Sequence, residues 1–461
     1  MKQIVINKDN SSDEFLYEQL YLNIKEQITT GDMIPGEKCP SLRFLAESLS
    51  VSVTTVMQAY NQLTAEGYIK NRPGSGYYVE EVGSSLVKEN DSQNALMEDE
   101  SFISEKSEYI YDEEAFDFNR WKKCAAKIYT EHADSLLYGS DLKGEISLRT
   151  QIAKYLFRSR GVSVDPNNIV IAAGTQQTIF HLGRILKKTG VKLIAMETPG
   201  YSPVKAMFSD AHFSIADIPV TDSGIAINML PSNIPSAAYV NPSNQFPTGV
   251  VMPAAKRYEI LKWAENNDSY IIEDDYNSEL RYFGKPLPTI KSLDTSDKVI
   301  YLGSFSSTLF SAVKISYMVL PEKLSKIFDE SRGEYSQTCS KAEQLTLAYY
   351  MSMNYYYTAI RKKRALYTKK LKVLEDAFDK YKYEDIELIN TKSGLFVTIR
   401  INTTKDGASY VEVARKLGVY TTFIEEISNP TQACISIYYS YIPLGSIELI
   451  MNILINKWRT V

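Results

Sequence analysis

Apolar residues recur every fourth position at Leu16, Leu20, Ile24 and Ile28, which predicts an amphipathic helix. Ser12 stands where it could cap that helix, with the first turn starting at Asp13. Gly31 and the Ile34-Pro35-Gly36 turn end it. Ser41 opens a shorter helix whose Leu42, Leu45, Ala46 and Leu49 form one stripe. Ser50-Val51-Ser52 leads to a third helix with Val56, Ala59, Tyr60 and Leu63 inward. After Gly67 come two extended runs, YIKN and GYYVEE, either side of Arg72-Pro73-Gly74-Ser75-Gly76.

From about position 115 the pattern changes to short β-rich runs alternating with helical stretches. NIVIAAG, KLIAMETPG, SAAYVNPS, SYIIEDDY and KVIYLGS each end in small or polar residues. The alternation predicts an α/β domain with a mostly parallel central sheet and its ligand site at the carboxyl ends of the strands. Positions 340–381 read as one long helix, and the last 80 or so residues as a smaller α/β subdomain.

Composition adds boundaries. A chain of 461 residues exceeds one ordinary core. Positions 81–114 hold eleven Asp/Glu against two Lys and few apolar runs, the make-up of a linker between a domain over 1–80 and one over 115–461. The start of the chain lacks the apolar stretch of a signal peptide, and no run is long enough to span a membrane. Four scattered cysteines and three scattered histidines predict neither a disulfide framework nor a metal site, and fit a reducing cytoplasm. The net charge of −5 leaves any nucleic-acid surface local.

Three helices followed by a glycine-rich hairpin make a winged helix-turn-helix. Ser52, Thr54, Thr55 and Gln58 fall on the outer, N-terminal side of the third helix, where hydroxyls and helix-end amides meet phosphates and base edges. Arg43 could reach a phosphate or a guanine. Arg72 and Gly76 belong to a tip that can approach a groove closely. A helical domain that binds protein is the competing reading, favoured by ten acids against seven bases in the first 80 residues. Residues 16–79 closely resemble the DNA-binding domain of the GntR superfamily: the I-x-x-G-x-x-x-P-G-x-x-x-P-S-x-R run, V-S-x-T-T-V and R-x-G-S-G all match. That resemblance implies double-stranded operator DNA as partner. One departure is Val53, where the family commonly has Arg.

The second domain resembles fold-type I pyridoxal phosphate (PLP) enzymes, and the fusion resembles the MocR subfamily of GntR regulators. YGSDLKGEISLRTQIAKYL, AAGTQQ, ETPGYSP, NPSNQFPTG, IIEDDYNSELRY and YLGSFSSTLFSAVKISYMVLP stand in family order over about 115–455. The resemblance gives Thr175 and Gln176 to the cofactor phosphate, Tyr201 to stacking on the pyridine ring, and Asp274 to its nitrogen. It gives Tyr276 to the ring hydroxyl, and Ser304 and Ser306 to the phosphate surroundings. Ser307 occupies the place of the lysine that forms the Schiff base, and Lys314 that of a phosphate-binding Arg. A serine hydroxyl forms no aldimine and cannot serve as the amine base. Ser436 aligns with the Arg that holds a substrate carboxylate, and Phe246 stands where many catalytic members of the broader fold carry Asn.

These departures imply a transcriptional regulator rather than an enzyme, with no covalent cofactor. Non-covalent PLP stays an open alternative, and the small-molecule effector is unidentified. Two other readings stand beside it: a dimerisation scaffold with an altered pocket, and an aminotransferase-type enzyme using another lysine such as Lys314. The resemblance also implies a homodimer, with each DNA head able to reach its partner's large domain, and no membrane association.

Overall fold

The computed structural model describes residues 15–81, 109–110, 112–280, 287–381, 384–389, 391 and 394–461. The chain divides into two compact units, Met1–Glu105 and Lys106–Val461.

The first unit holds α1 (Leu16–Thr29), α2 (Leu42–Leu49), α3 (Val53–Ala65) and the antiparallel hairpin of β1 (Ile69–Arg72) and β2 (Gly76–Val79). The first helix starts later than its sequence pattern suggests. Phe15 is extended (φ −66°, ψ 145°) and its N–H donates to Glu18 Oε2 at 3.2 Å, so Leu16 is the first helical residue. Ser12 lies outside the described residues. Ser41 Oγ accepts from Phe44 N at the start of α2, and Ser50 closes that helix in the left-handed conformation (φ 50°). These two devices set the tight turn between α2 and α3. Leu20 and Ile24, Leu45, Val56, Ala59, Tyr60 and Leu63, with Ile69 and Val79, close one core. The Tyr60 hydroxyl reaches Pro40 O at 3.0 Å.

In the second unit α4 (Phe118–Glu131) and α5 (Ile146–Arg160) lead into β3 (Ile169–Ala172), α6 (Thr175–Lys188), β4 (Leu193–Thr198) and α7 (Ser202–Asp210). Then follow β5 (Ser214–Thr221), β6 (Gly224–Ile225), β7 (Ser236–Val240), α8 (Ala254–Asn266), β8 (Tyr270–Asp274), α9 (Ile290–Leu293), β9 (Val299–Ser304) and β10 (Ser316–Val319). The sheet order is β3-β10-β9-β8-β7-β4-β5-β6, with every pair from β9 to β5 parallel. Strand β10 is antiparallel to both β9 and β3, and β6 to β5. The central strands β7 and β8 are buried almost throughout, as a sheet covered on both faces requires.

α10 (Glu322–Asp329), α11 (Lys341–Ser352) and α12 (Tyr355–Tyr381) lead to the last subdomain. The single helix expected over 340–381 is two helices. Asn354 is left-handed (φ 58°), a conformation asparagine tolerates better than most residues, and it breaks the run. The subdomain is an antiparallel sheet of β11 (Ile386–Ile389), β12 (Val397–Asn402), β14 (Gln432–Ile437) and β13 (Thr421–Phe423), in that order. It is backed by α13 (Gly407–Lys416) and α14 (Ile447–Trp458). At the other end of the linker stretch, Ile110 N already donates to Gly418 O and Asp112 pairs with Lys370 at 2.7 Å. The second unit therefore begins before position 115.

No helix among the described residues is long and apolar enough to cross a membrane. Leu63 is wholly buried at the centre of the first unit's core. Leu63→Ala should cost that unit about 2–5 kcal/mol. Amide exchange should speed up across 16–79 and stay unchanged across 115–461; unchanged protection in 16–79 would contradict the core described here.

Candidate functional site

In the first unit Ser52 caps α3. Its Oγ accepts from Thr55 N at 3.0 Å and lies 2.8 Å from Thr55 Oγ1. Both hydroxyls thereby take part in the cap, while Ser52 stays exposed. Thr54 and Gln58 are the exposed polar side chains of the same two turns. Arg43 is exposed in the first turn of α2. In the hairpin, the Arg72 guanidinium lies over the Tyr78 ring, 4.4 Å from its centre. Gly76, paired with Arg72, has φ 113°, which lets the strand leave the tip sharply. Lys38, which sequence reasoning passed over, stands 5.9 Å from the same ring and joins Arg72 beside it.

In the second unit, parallel strands bring distant residues to one edge. Strands β3, β4, β7, β8 and β9 all run the same way, so Gly174-Thr175, Tyr201, Asn241, Asp274-Tyr276 and Ser304 follow their carboxyl ends. Lys314 joins them because β10 starts at that edge. Thr175 and Gln176 open α6 after Gly174 (φ 85°), and a Cβ built on Gly174 would lie 4.0 Å from Lys314 Cδ. Exposed backbone amides and an ammonium thus share one corner, a natural seat for a phosphate. Ser306 Oγ donates to Val313 O at 2.9 Å, which holds the Ser304–Leu309 turn against the strand that follows it. Ser307 is half-buried on that turn, its carbonyl accepting from Lys363 Nζ at 3.2 Å.

Asp274 and Tyr276 each keep an accessible edge, while Asp275 between them is buried. The Asp274 carboxylate accepts from the Tyr239 hydroxyl, and its backbone carbonyl accepts from Asn241 Nδ2 at 3.1 Å. Burial pushes the Asp274 carboxyl up, the Tyr239 hydroxyl pulls it back, and the balance stands at about 6. Glu197, deeper still, receives Asn241 N at 3.1 Å and Gln245 Nε2 at 3.4 Å, and burial raises its carboxyl to about 7. Asn241 Oδ1 is buried with no partner. Arg160, the last residue of α5, pairs with Asp275 at 2.7 Å and donates to Ser243 Oγ at 3.1 Å. Burial alone would raise Asp275, but Arg160 and the hydroxyls of Tyr301, Ser243 and Ser278 outweigh it and hold the carboxyl low.

Rings form the opposite wall. Tyr201, 40% exposed, meets Phe246 edge-on at 5.8 Å. Phe246 meets Phe396 at 5.6 Å, Phe396 meets Tyr438 at 5.3 Å, and Tyr438 meets Tyr420 at 4.8 Å. Alternation along β12 and β14 puts Phe396, Thr398, Ser436 and Tyr438 on one face. Ser436 is fully buried there and donates to Thr422 O at 3.3 Å. Further along that face Arg400 is engaged by Glu387 at 2.8 Å.

Sequence reasoning did not find Glu197, Tyr239, Asn241, Arg160 or the ring wall beyond Tyr201 and Phe246. An Asp-Asp pair at the end of a strand was the one local signal for Asp275. The described residues contain no cluster of His, Cys, Asp and Glu that could hold a metal, and the four cysteines are buried and free.

Fold and sites together define a winged-helix DNA-binding head joined to an aminotransferase-fold domain. Residues 16–79 match the family described as "Bacterial regulatory proteins, gntR family", and residues 105–437 match "Aminotransferase class I and II". The chain belongs to the HTH-type transcriptional regulators that combine these two domains. It is 36% identical over 410 residues to the uncharacterized HTH-type transcriptional regulator YdeL of Bacillus subtilis, covering 88% of each chain. It is 31% identical to the probable rhizopine catabolism regulatory protein MocR of Rhizobium meliloti, over 79% of this chain and 77% of that one. The pyridoxine biosynthesis regulator PdxR of Corynebacterium glutamicum is 29% identical over 87% and 86%. Among solved structures, an archaeal alanine:glyoxylate aminotransferase superposes with TM-score 0.67 at 21% identity, over 76% of this chain and 89% of that one. Pyrococcus horikoshii kynurenine aminotransferase gives 0.65 at 24%, over 79% and 96%. At that identity they establish the fold alone.

Glu197 and Asp274 are held above their unfolded values, so the folded chain binds more protons than the unfolded one between about pH 4 and 7. Their contribution to stability is complete below the unfolded values and is lost as pH rises through about 6 to 7. Glu197→Gln should therefore show a smaller fall in urea midpoint between pH 5 and pH 8 than the natural protein. An equal fall would contradict this assignment.

Proposed function

We propose that this chain is a transcriptional regulator whose aminotransferase-fold domain senses a small molecule held without a covalent bond, and does not transaminate. The observation that carries the reading is Ser307. It sits on the turn after β9, where resemblance to fold-type I enzymes places the reactive amine, and it offers a hydroxyl. Lys314 lies beside Gly174 at the phosphate corner, which suits a charge partner rather than a displaced Schiff-base donor.

The remaining residues fit a pyridine phosphate. Gly174-Thr175 and Lys314 suit its phosphate, Tyr201 its face, Asp274 its ring nitrogen and Tyr276 its hydroxyl. The orphaned Asn241 Oδ1 beside Asp274 is a buried acceptor that a ligand donor would satisfy. Bound PLP supplies an electron sink for amino-acid chemistry. This chain's own groups bind and orient; Ser307 gives no amine to hold or move the substrate proton. Beyond Tyr201, the rings of Phe246, Phe396 and Tyr438 offer aromatic surface, which favours a ligand end that is uncharged over a carboxylate. In this reading the regulator is a homodimer whose heads can exchange between subunits, and the ligand acts through unequal affinity for two arrangements of the DNA heads.

The test is a footprint of the purified full-length protein on DNA upstream of its own gene, alongside an assay of keto-acid formation from common amino donors. We expect a protected operator and no turnover. Absence of any protected site, or sustained transamination, would overturn the reading.

A further inference from the structure

We infer that α3 reads thymine methyl groups through Val53 and Met57, so that this regulator selects A·T-rich half-sites. The inference rests on the DNA-binding function of the head. Strand contacts made by wing and helix ends position the domain; the base-reading side chains of α3 decide the sequence.

Helix α3 contains no Lys, Arg, Asp or Glu in its thirteen residues. Arginine or lysine to guanine is the commonest specific major-groove contact, and this helix cannot make it. What its first two turns expose is an apolar pair, Val53 (45% exposed) and Met57 (41%), with Thr54 and Gln58 beside them. A single exposed apolar residue is ordinary. Two at i and i+4 form one continuous patch on the helix surface, and it occupies the N-terminal half that a helix-turn-helix inserts into the groove. The inward positions Val56, Ala59, Tyr60 and Leu63 fill the domain core separately, so folding does not call on the pair.

A major groove presents one apolar group to such a patch, the C5 methyl of thymine. Gln58, one position on from Met57, has the amide geometry that pairs with the N6 and N7 of adenine. Valine and methionine against thymine, with glutamine against adenine, make one consistent code. Lys70 and Arg72 stand on the wing, Lys38 beside it and Arg43 on α2, where they can serve phosphates without conferring preference for guanine through α3.

The test uses full-length protein and an operator selected from a random duplex pool. Thymines in the half-site are replaced by deoxyuridine, which deletes only the methyl. Each contacted thymine should cost about fourfold in affinity, the worth of one buried methyl-sized group. Replacements in the flanks should cost nothing. The double variant Val53→Ser with Met57→Ser, both positions on the surface, should bind thymine and uracil operators with equal affinity, and Val53→Arg should move selection toward guanine. Equal binding of both operators by the natural protein, or retained discrimination in the double variant, would overturn the inference. Failure of the natural protein to enrich any sequence would instead count against the DNA-binding reading itself.

Discussion

A guanidinium and a carboxylate taken almost wholly out of water hold the pocket edge together. Arg160 ends α5, Asp275 follows β8, and their 2.7 Å pair is joined by Ser243 from beyond β7 and by the Tyr301 hydroxyl of β9. A buried charge without its partner costs several kcal/mol, so each of these elements is bound to the others' positions. Asp274 and Tyr276 flank Asp275 and inherit its placement, directed to the pocket from either side of the anchor. The pocket geometry is thus fixed by a residue that does not face the pocket.

In the proposed reading, that anchor lets the fold hold a binding site without a reactive amine. The corner proposed for a phosphate depends on Gly174, the start of α6 and Lys314, and the proposed ring seat on Tyr201, Asp274 and Tyr239. None of these contacts runs through the side chain of Ser307, whose recorded bond is made by its backbone carbonyl to Lys363. Burial and the nearby Lys370 lower the Lys363 ammonium to about 8, yet two carbonyls, of Ser307 and Leu309, hold it at the turn. In the proposed reading, a serine at position 307 therefore withholds the amine chemistry while the turn keeps its shape.

Local patterns in the sequence were enough to place β3, β4, β7, β8 and β9, the winged helix and the strand-end edge, but not β5, β6 or the antiparallel β10. The β-rich runs end in the residues that line the pocket, and parallel strands oblige those ends to meet. The pairings that fix the edge were not legible. Arg160 and Asp275 are 115 positions apart, and nothing local marks an arginine at a helix end as an inward anchor. The ring wall was hidden for a different reason: among 33 tyrosines, Tyr420 and Tyr438 carry no distinguishing neighbours until β13 and β14 pair. The break at Asn354 escaped because the apolar spacing continues across it while one left-handed residue interrupts the backbone. Ser52 and Thr55 were read as outward hydroxyls for phosphates and base edges, and their part in the cap of α3 was not legible.

The central claim is that the pocket survives without covalent chemistry. Titration of the natural protein and of Ser307→Lys with PLP, followed by borohydride, tests it most directly. The account predicts a reducible imine in the variant and none in the natural protein, whose absorbance would show at most a reversible, non-covalent complex. A reducible imine in the natural protein would contradict it, by showing that another amine such as Lys314 reaches the cofactor.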